Sequence, residues 1–387
     1  MIIDVDISRR VVIERGVQAR ADLQQLTILM ADQLVTEAVP NAVLRTAGRA
    51  IRARDDALVG MLDDAVAVST AELWKRMREH QADVDALASE CLTLAAGAIL
   101  RDRGADGGLC AVADHLLAEV TDGLPVDWRA LSVPGSEDRT SYRTGVIGLR
   151  CSARGFWSLP VALHEMGHVI AQTLDTSGAG QPSHNPVRAV LVEGGSSRQR
   201  EELFADFFAT CAIGPAYGAA LVLSRFDPKD ARTEIVFEDG RSSTATHPSV
   251  DKRIHLVLET LRRMDERAGR FQHPYRTETE ALRSAWFWQA SSVGVTVEVD
   301  RASVIRLDAL VSRFWKIGIG PLKPALHGKP IGDSLERYFL EGTPMPPAST
   351  TVRDVIGTAW RLRLEGSEPA SLEKKALALI KRVVKEA

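Results

Sequence analysis

The stretch LPVALHEMGHVI, residues 159–170, constrains this chain more than any other. It places His164, Glu165 and His168 inside an otherwise apolar run. Burying two imidazoles and a carboxylate is costly unless each meets a partner, so the fold must bring partners to this segment. On a helix, positions i and i+4 share a face, so His164 and His168 present two ring nitrogens to one point. An H-E-x-x-H pattern of this kind suits one metal ion, with two histidine ligands and the glutamate beside them as general base. Zinc fits that donor type, and its open fourth position holds a water whose pKa falls from about 15.7 toward about 7.

A third ligand is needed. One extended form of the motif requires a glycine and then a further histidine downstream, but Ala171 and Leu174 occupy those positions and exclude it. The segment REELFADFF, residues 200–208, supplies the other solution. Glu202 and Asp206 lie four apart, on one face of an apolar helix that must hide both carboxylates. Glu202 is expected to ligate the metal. Asp206 is expected to accept a hydrogen bond from the far nitrogen of a ligating histidine, the usual way such a ring is oriented. Glu201 is the rival ligand, although Ala205, four residues on from it, accepts nothing.

A third block, THPSVDKRI at residues 246–254, joins these two. His164-Glu165-Met166-Gly167-His168, then Glu202-Leu203-Phe204-Ala205-Asp206, then His247-Pro248 with Arg253-Ile254 resembles the signature of the gluzincin peptidases of the CAAX-prenyl protease and heat-shock protein X group. The family pattern is H-E-x-G-H, E-x-x-A-D and H-P-x-x-x-x-R-I, in that order. The resemblance implies a zinc endopeptidase core with a small sheet whose edge strand binds extended substrate. It implies that His164, His168 and Glu202 hold one Zn²⁺ and that Glu165 is the base. It also implies a position beside the metal cleft for His247, as a donor to the oxyanion, and for Arg253, as a brace on the Glu202–Asp206 helix. Residue by residue, the alternative for this pair is a helix start at Pro248 with a surface arginine, away from the face set by Val250, Ile254 and Val257. The chain departs from the family in three ways: it lacks hydrophobic spans, has Thr173 where many members have a further histidine, and has TGVIGLRCS in place of an Asn-Ala strand. Substrate specificity and prenylated substrates therefore do not carry over.

Outside these blocks the sequence is less directive. Residues 1–120 read as a helical region, with Leu23, Leu26, Met30 and Leu34 at helical spacing. RALSVPG and TGVIGLR, on either side of a polar loop, read as short strands, and so does TEIVFEDG at 233–240. From Pro248 a helix is expected with Val250, Ile254, Val257, Leu258 and Leu261 on one face, and residues 276–387 are mostly helical again. The fold class expected is mainly α with a small β-sheet (α+β): a zincin-like core at 121–275 between two helical regions. The longest apolar run, 203–223, is interrupted by Asp206 and Gly214-Pro215, which predicts two buried helices and no membrane span. The basic final helix, with Leu372, Ala376, Leu379, Ile380 and Val383 on one side, is expected to pack on its own domain. A net charge of −3 gives no reason to expect nucleic acid as a partner. Four cysteines without C-x-x-C spacing, and a start without a signal-peptide pattern, point to a cytoplasmic protein. His80, His115, His255, His273 and His327 have no partner pattern, His184 reads as a solvated loop residue, and Tyr217 as core.

The function expected is a zinc metalloendopeptidase acting on a protein or peptide substrate. The alternative is a metal-stabilised regulatory or binding protein, against which the presence of Glu165 argues, since a structural site has no use for a base.

Overall fold

The computed structural model describes residues 5–30, 39, 41–122, 124, 126, 131–150, 155–174, 185–192, 197–232, 247–268, 275–317, 329–343 and 345–386. The chain is mainly helical with a small three-stranded mixed sheet, an α+β composition. It divides into two compact units, Met1–Cys110 with Trp128–Cys151, and Ala111–Asp127 with Ser152–Ala387.

The first unit packs helices α1 (Val5–Ile28), α2 (Asn41–Asp63) and α3 (Thr70–Asp102) around one apolar core. Leu23, Leu26 and Met30 are buried at the spacing the sequence displays; Leu34 lies outside the described residues. Ser69 starts α3 by accepting the Glu72 amide, which satisfies one of the free N–H groups of a helix start. Along α3, Leu73, Met77, Val84, Leu87, Cys91, Leu94 and Ala98 form the buried stripe.

Helix α4 (Leu109–Thr121) leads into the second unit, and three short strands then return to the first. They are β1 (Leu131–Gly135), β2 (Arg139–Ser141) and β3 (Val146–Arg150), in spatial order β1-β3-β2. β1 runs parallel to β3 with Leu131 opposite Val146, and β2 runs antiparallel to β3 with Arg139 opposite Gly148. Strands β1 and β3 coincide with the expected ones, while β2 lies in what reads as loop. Gly97 explains how closely α3 lies on β1, since a Cβ there would stand 2.6 Å from Val133 Cβ. TEIVFEDG is outside the described residues.

The second unit contains the H-E-x-x-H segment and the whole of the region beyond it. Helix α5 (Pro160–Thr173) begins with proline in its first turn, where a missing N–H costs nothing, and is buried from Pro160 to Ala171. After α6 (Pro186–Val192) comes α7 (Ser197–Ile213), which crosses α5 at Gly167 and Ala205. A Cβ on Gly167 would lie 2.6 Å from Ala205 Cα, so the two backbones touch. Gly214, at φ +64°, ends α7, and Pro215 opens α8 (Pro215–Ala220), which splits the apolar run as expected. Next come α9 (Val250–Ala268), α10 (Arg276–Ser292), α11 (Arg301–Lys316), α12 (Lys329–Glu341), α13 (Val352–Leu364) and α14 (Pro369–Glu386).

On α9, Val250, Ile254, Val257 and Leu261 are buried with Leu256 and Met264, while Leu258 is only half-buried. Helix α14 packs on α13 through Leu372, Ala376, Leu379 and Ile380. The Glu119 carboxylate accepts the Val352 and Arg353 amides, which anchors the start of α13. Among the described residues, no helix is long and apolar enough to cross a membrane.

Candidate metal centre

Helices α5 and α7 bring their polar residues together because Gly167 and Ala205 leave only one methyl group between them. His164 Nε2 and His168 Nε2 stand 3.3 Å apart. The Glu202 carboxylate spans both, with Oε2 3.3 Å from His164 Nε2 and Oε1 3.4 Å from His168 Nε2. One ligand atom from each of the three falls within 4.8 Å of the others, close enough to hold a single metal ion. His247, Glu201 and Asp206 are not part of that triplet.

The outward nitrogens decide which lone pairs face inward. His164 Nδ1 lies 3.0 Å from Asp206 Oδ1, and His168 Nδ1 lies 3.2 Å from Glu201 Oε1. A carboxylate is an acceptor only, so each ring donates its Nδ1–H outward, and Nε2, which faces Glu202, is the nitrogen that would shed its proton to take a metal. This is the arrangement a metal requires of imidazole.

Asp206 is the centre of a second layer. It is 0% exposed and accepts Arg253 Nε at Oδ2 and Arg253 Nη2 at Oδ1, both at 2.7 Å. Tyr217 Oη donates to Asp206 Oδ1 at 2.5 Å and also lies 3.0 Å from His164 Nδ1. Arg253 is itself buried, with its guanidinium 5.1 Å from the Phe226 ring centroid. Burial alone would raise the Asp206 pKa, but the Arg253 charge outweighs it and brings the value down to about 2. Burial opposes a charge on His164, yet hydrogen bonds to Asp206 and Glu202 outweigh that and raise its pKa to about 9. For Glu202, burial again opposes ionisation, and His164 with His247 holds it well below the ordinary carboxylate range. Burial and the Asp206 charge push the Tyr217 phenol well up, so it stays a neutral donor.

The residues named from the sequence thus converge, with some changes of place. Asp206 stands where a ligand-orienting carboxylate is expected. Arg253 is buried rather than on the surface, because its partner is across on α7. His247 sets Nε2 3.2 Å from Glu202 Oε1, with its side chain 27% exposed. Glu165 is buried on α5 beside His164. Tyr217 is core, as expected, but its hydroxyl also serves Asp206. Glu201, set aside because nothing on its own helix answers it, finds His168 on α5. The available signal was Gln172, a polar residue one turn beyond His168, whose Nε2 donates to Glu201 Oε2 at 3.0 Å. His255 pairs with Asp308 at 3.0 Å, while His184, His273 and His327 lie outside the described residues.

Compared with the profiles of known protein families, with curated proteins and with solved structures, the chain finds no match in any of the three.

Proposed function

We propose that this chain is a zinc-dependent metallopeptidase with a zincin-like core built on α5 and α7. One observation carries the proposal: His164, His168 and Glu202 converge within 4.8 Å, each imidazole backed by a carboxylate on its far nitrogen. Two imidazoles and one carboxylate form a donor set suited to Zn²⁺, and three protein ligands leave a position open, as catalytic zinc sites do. A bound zinc ion would supply Lewis-acid polarisation of a carbonyl and acidify a water toward neutral pH.

The protein's own residues account for the rest of the chemistry. Glu165, next to His164 on α5, takes a proton from the attacking water and delivers it to the leaving amine. Asp206 and Arg253 hold the His164 ring in one orientation, with Tyr217 closing the network. His247 holds Glu202. To act as donor to the oxyanion, its N–H would have to turn from that carboxylate to the substrate oxygen. The substrate class proposed is protein or peptide, and the compartment proposed is the cytoplasm, in keeping with the buried free thiols of Cys91, Cys110 and Cys211.

The test is Glu165→Gln. The purified variant should keep one zinc per chain by elemental analysis and lose cleavage of a denatured protein by about 10²–10⁴-fold. Unaltered cleavage would remove Glu165 from the base role. Zinc binding by the wild type with no cleavage of any peptide in a random library would instead favour the metal-stabilised binding protein.

A further inference from the structure

We infer that Glu201 is a positioning residue for the metal centre, holding His168 as Asp206 holds His164. The inference rests on His164, His168 and Glu202 being metal ligands, as proposed above. The observation behind it is a hydrogen-bonded chain that crosses between α5 and α7. Gln172 Nε2 donates to Glu201 Oε2 at 3.0 Å, and Glu201 Oε1 receives His168 Nδ1 at 3.2 Å.

The two ends of this chain lie on one helix. Gln172 follows His168 by four residues, so both project from the same face of α5 toward Glu201. Glu201 is thereby held through both carboxylate oxygens, and its free rotation is lost to a fixed geometry. An imidazole has two tautomers, and the ring nitrogen that faces a carboxylate carries the hydrogen. Glu201 therefore keeps a hydrogen on His168 Nδ1, so that Nε2, 3.4 Å from Glu202 Oε1, is the nitrogen left to give up its proton and offer a lone pair when a metal binds.

Adjacent glutamates consequently have separate tasks. Successive helix positions are rotated by about 100°, so Glu201 and Glu202 cannot face the same point. Glu202 faces the two Nε2 atoms, and Glu201 lies on the outer side of His168. The two histidines are held differently as well. The Asp206 side is fully buried and tied to Arg253, whereas the Glu201 side chain is 17% exposed and tied to a neutral amide. Glu201 is thus the more exposed of the two carboxylates behind the histidines, and the effect of removing it falls on metal affinity rather than on folding.

The experiment uses the full chain and zinc alone. Zinc dissociation constants are measured by chelator competition for wild type, Glu201→Ala, Glu201→Gln, Gln172→Ala and, as the loss-of-ligand control, His164→Ala. In parallel, the imidazole nitrogens of His168 are followed by long-range ¹H–¹⁵N correlation, which reports the tautomer. Glu201→Ala should weaken zinc binding about 10- to 100-fold, the range for lost partners of ligating histidines, with the zinc-free melting temperature unchanged. Glu201→Gln keeps an acceptor oxygen and should recover most of that loss, and Gln172→Ala should fall between. His168 should show a protonated Nδ1 in wild type and a mixture of tautomers in Glu201→Ala.

Unchanged affinity and an unchanged tautomer in Glu201→Ala would overturn the inference. So would loss of zinc as complete as in His164→Ala from both Glu201 variants, which would make Glu201 a ligand. If wild type bound no zinc, the metal reading itself would fall, and the tautomer measurement would still decide whether Glu201 holds the ring.

Discussion

Replacing Asp206 by Asn tests the buried layer behind the proposed ligands. The substitution keeps the shape of the side chain and removes its charge. Arg253, 9% exposed, would then lose the bidentate partner that meets it at 2.7 Å on both nitrogens. The remaining carboxylate near it is Glu202, 3.8 Å from Nη2. The asparagine would also turn an amide N–H₂ toward either Arg253 or Tyr217, both of which donate to Asp206 in the wild type.

Breaking a buried ion pair from one side costs about 3–5 kcal/mol. Because Glu202 still offers some compensation, the lower end, about 3 kcal/mol, is the expected loss. Against a total of about 5–15 kcal/mol for an ordinary domain, that is a large fraction. The assay is chemical unfolding with chelator present, so that metal binding does not contribute. Tryptophan fluorescence suits it, since Trp157, Trp286, Trp288, Trp315 and Trp360 all belong to the second unit. Arg253→Met combined with Asp206→Asn should recover much of the loss, because no unpaired charge remains. A shift below about 1 kcal/mol in Asp206→Asn would refute the argument, since a buried arginine cannot lose such a partner so cheaply.

Gly167→Ala should destabilise the protein by about 1–3 kcal/mol and weaken zinc binding, because its Cβ meets Ala205 Cα at 2.6 Å and must push α5 from α7. Thermal melts and chelator competition would measure both, and wild-type values in each would mean the crossing relaxes freely. The pH dependence should have opposite signs with and without metal. His164 is raised from 6.5 to about 9, so its contribution to zinc-free stability is full below about pH 6.5 and is lost as pH rises through about 9. Over the same window zinc affinity should rise, by up to about tenfold per pH unit, because binding displaces that proton. Melts in chelator and zinc titrations between these pH values would test the pair of slopes, and a zinc-free protein that gains stability with pH would contradict the first.

Much of the candidate metal centre is legible in the sequence because its elements are local. Spacing i to i+4 pairs His164 with His168 and Glu202 with Asp206, and helix geometry alone converts both spacings into shared faces. What crosses between helices is harder to read. Nothing in the local pattern connects Tyr217 to Asp206, and only Gln172, one turn beyond His168, hints at Glu201, since each pair meets only after α5, α7 and α8 have packed. Arg253 illustrates the same limit: on α9 by itself it lies off the apolar stripe and looks like a surface residue. Strand β2, Arg139-Thr140-Ser141, has no apolar alternation to reveal it and is a strand only because β3 is there to pair with it. In contrast, the break at Gly214-Pro215 and the buried face of α14 follow from residue chemistry that needs no partner to be identified.

The Asp206–Arg253 pair also has a consequence for the order in which the molecule is made. The two residues are 47 apart in the chain. At about 5–20 residues per second, a ribosome takes roughly 2–9 s to pass from one to the other. During that interval α5 and α7 have been made, and the Asp206 carboxylate between them still lacks its two arginine hydrogen bonds. Until α9 emerges, Asp206 has His164 and Tyr217 as partners but not the bidentate arginine, so the contact between the two helices is less well compensated than in the finished chain. The candidate metal centre is then fully braced only once synthesis has gone well beyond Glu202, the last of its three proposed ligands.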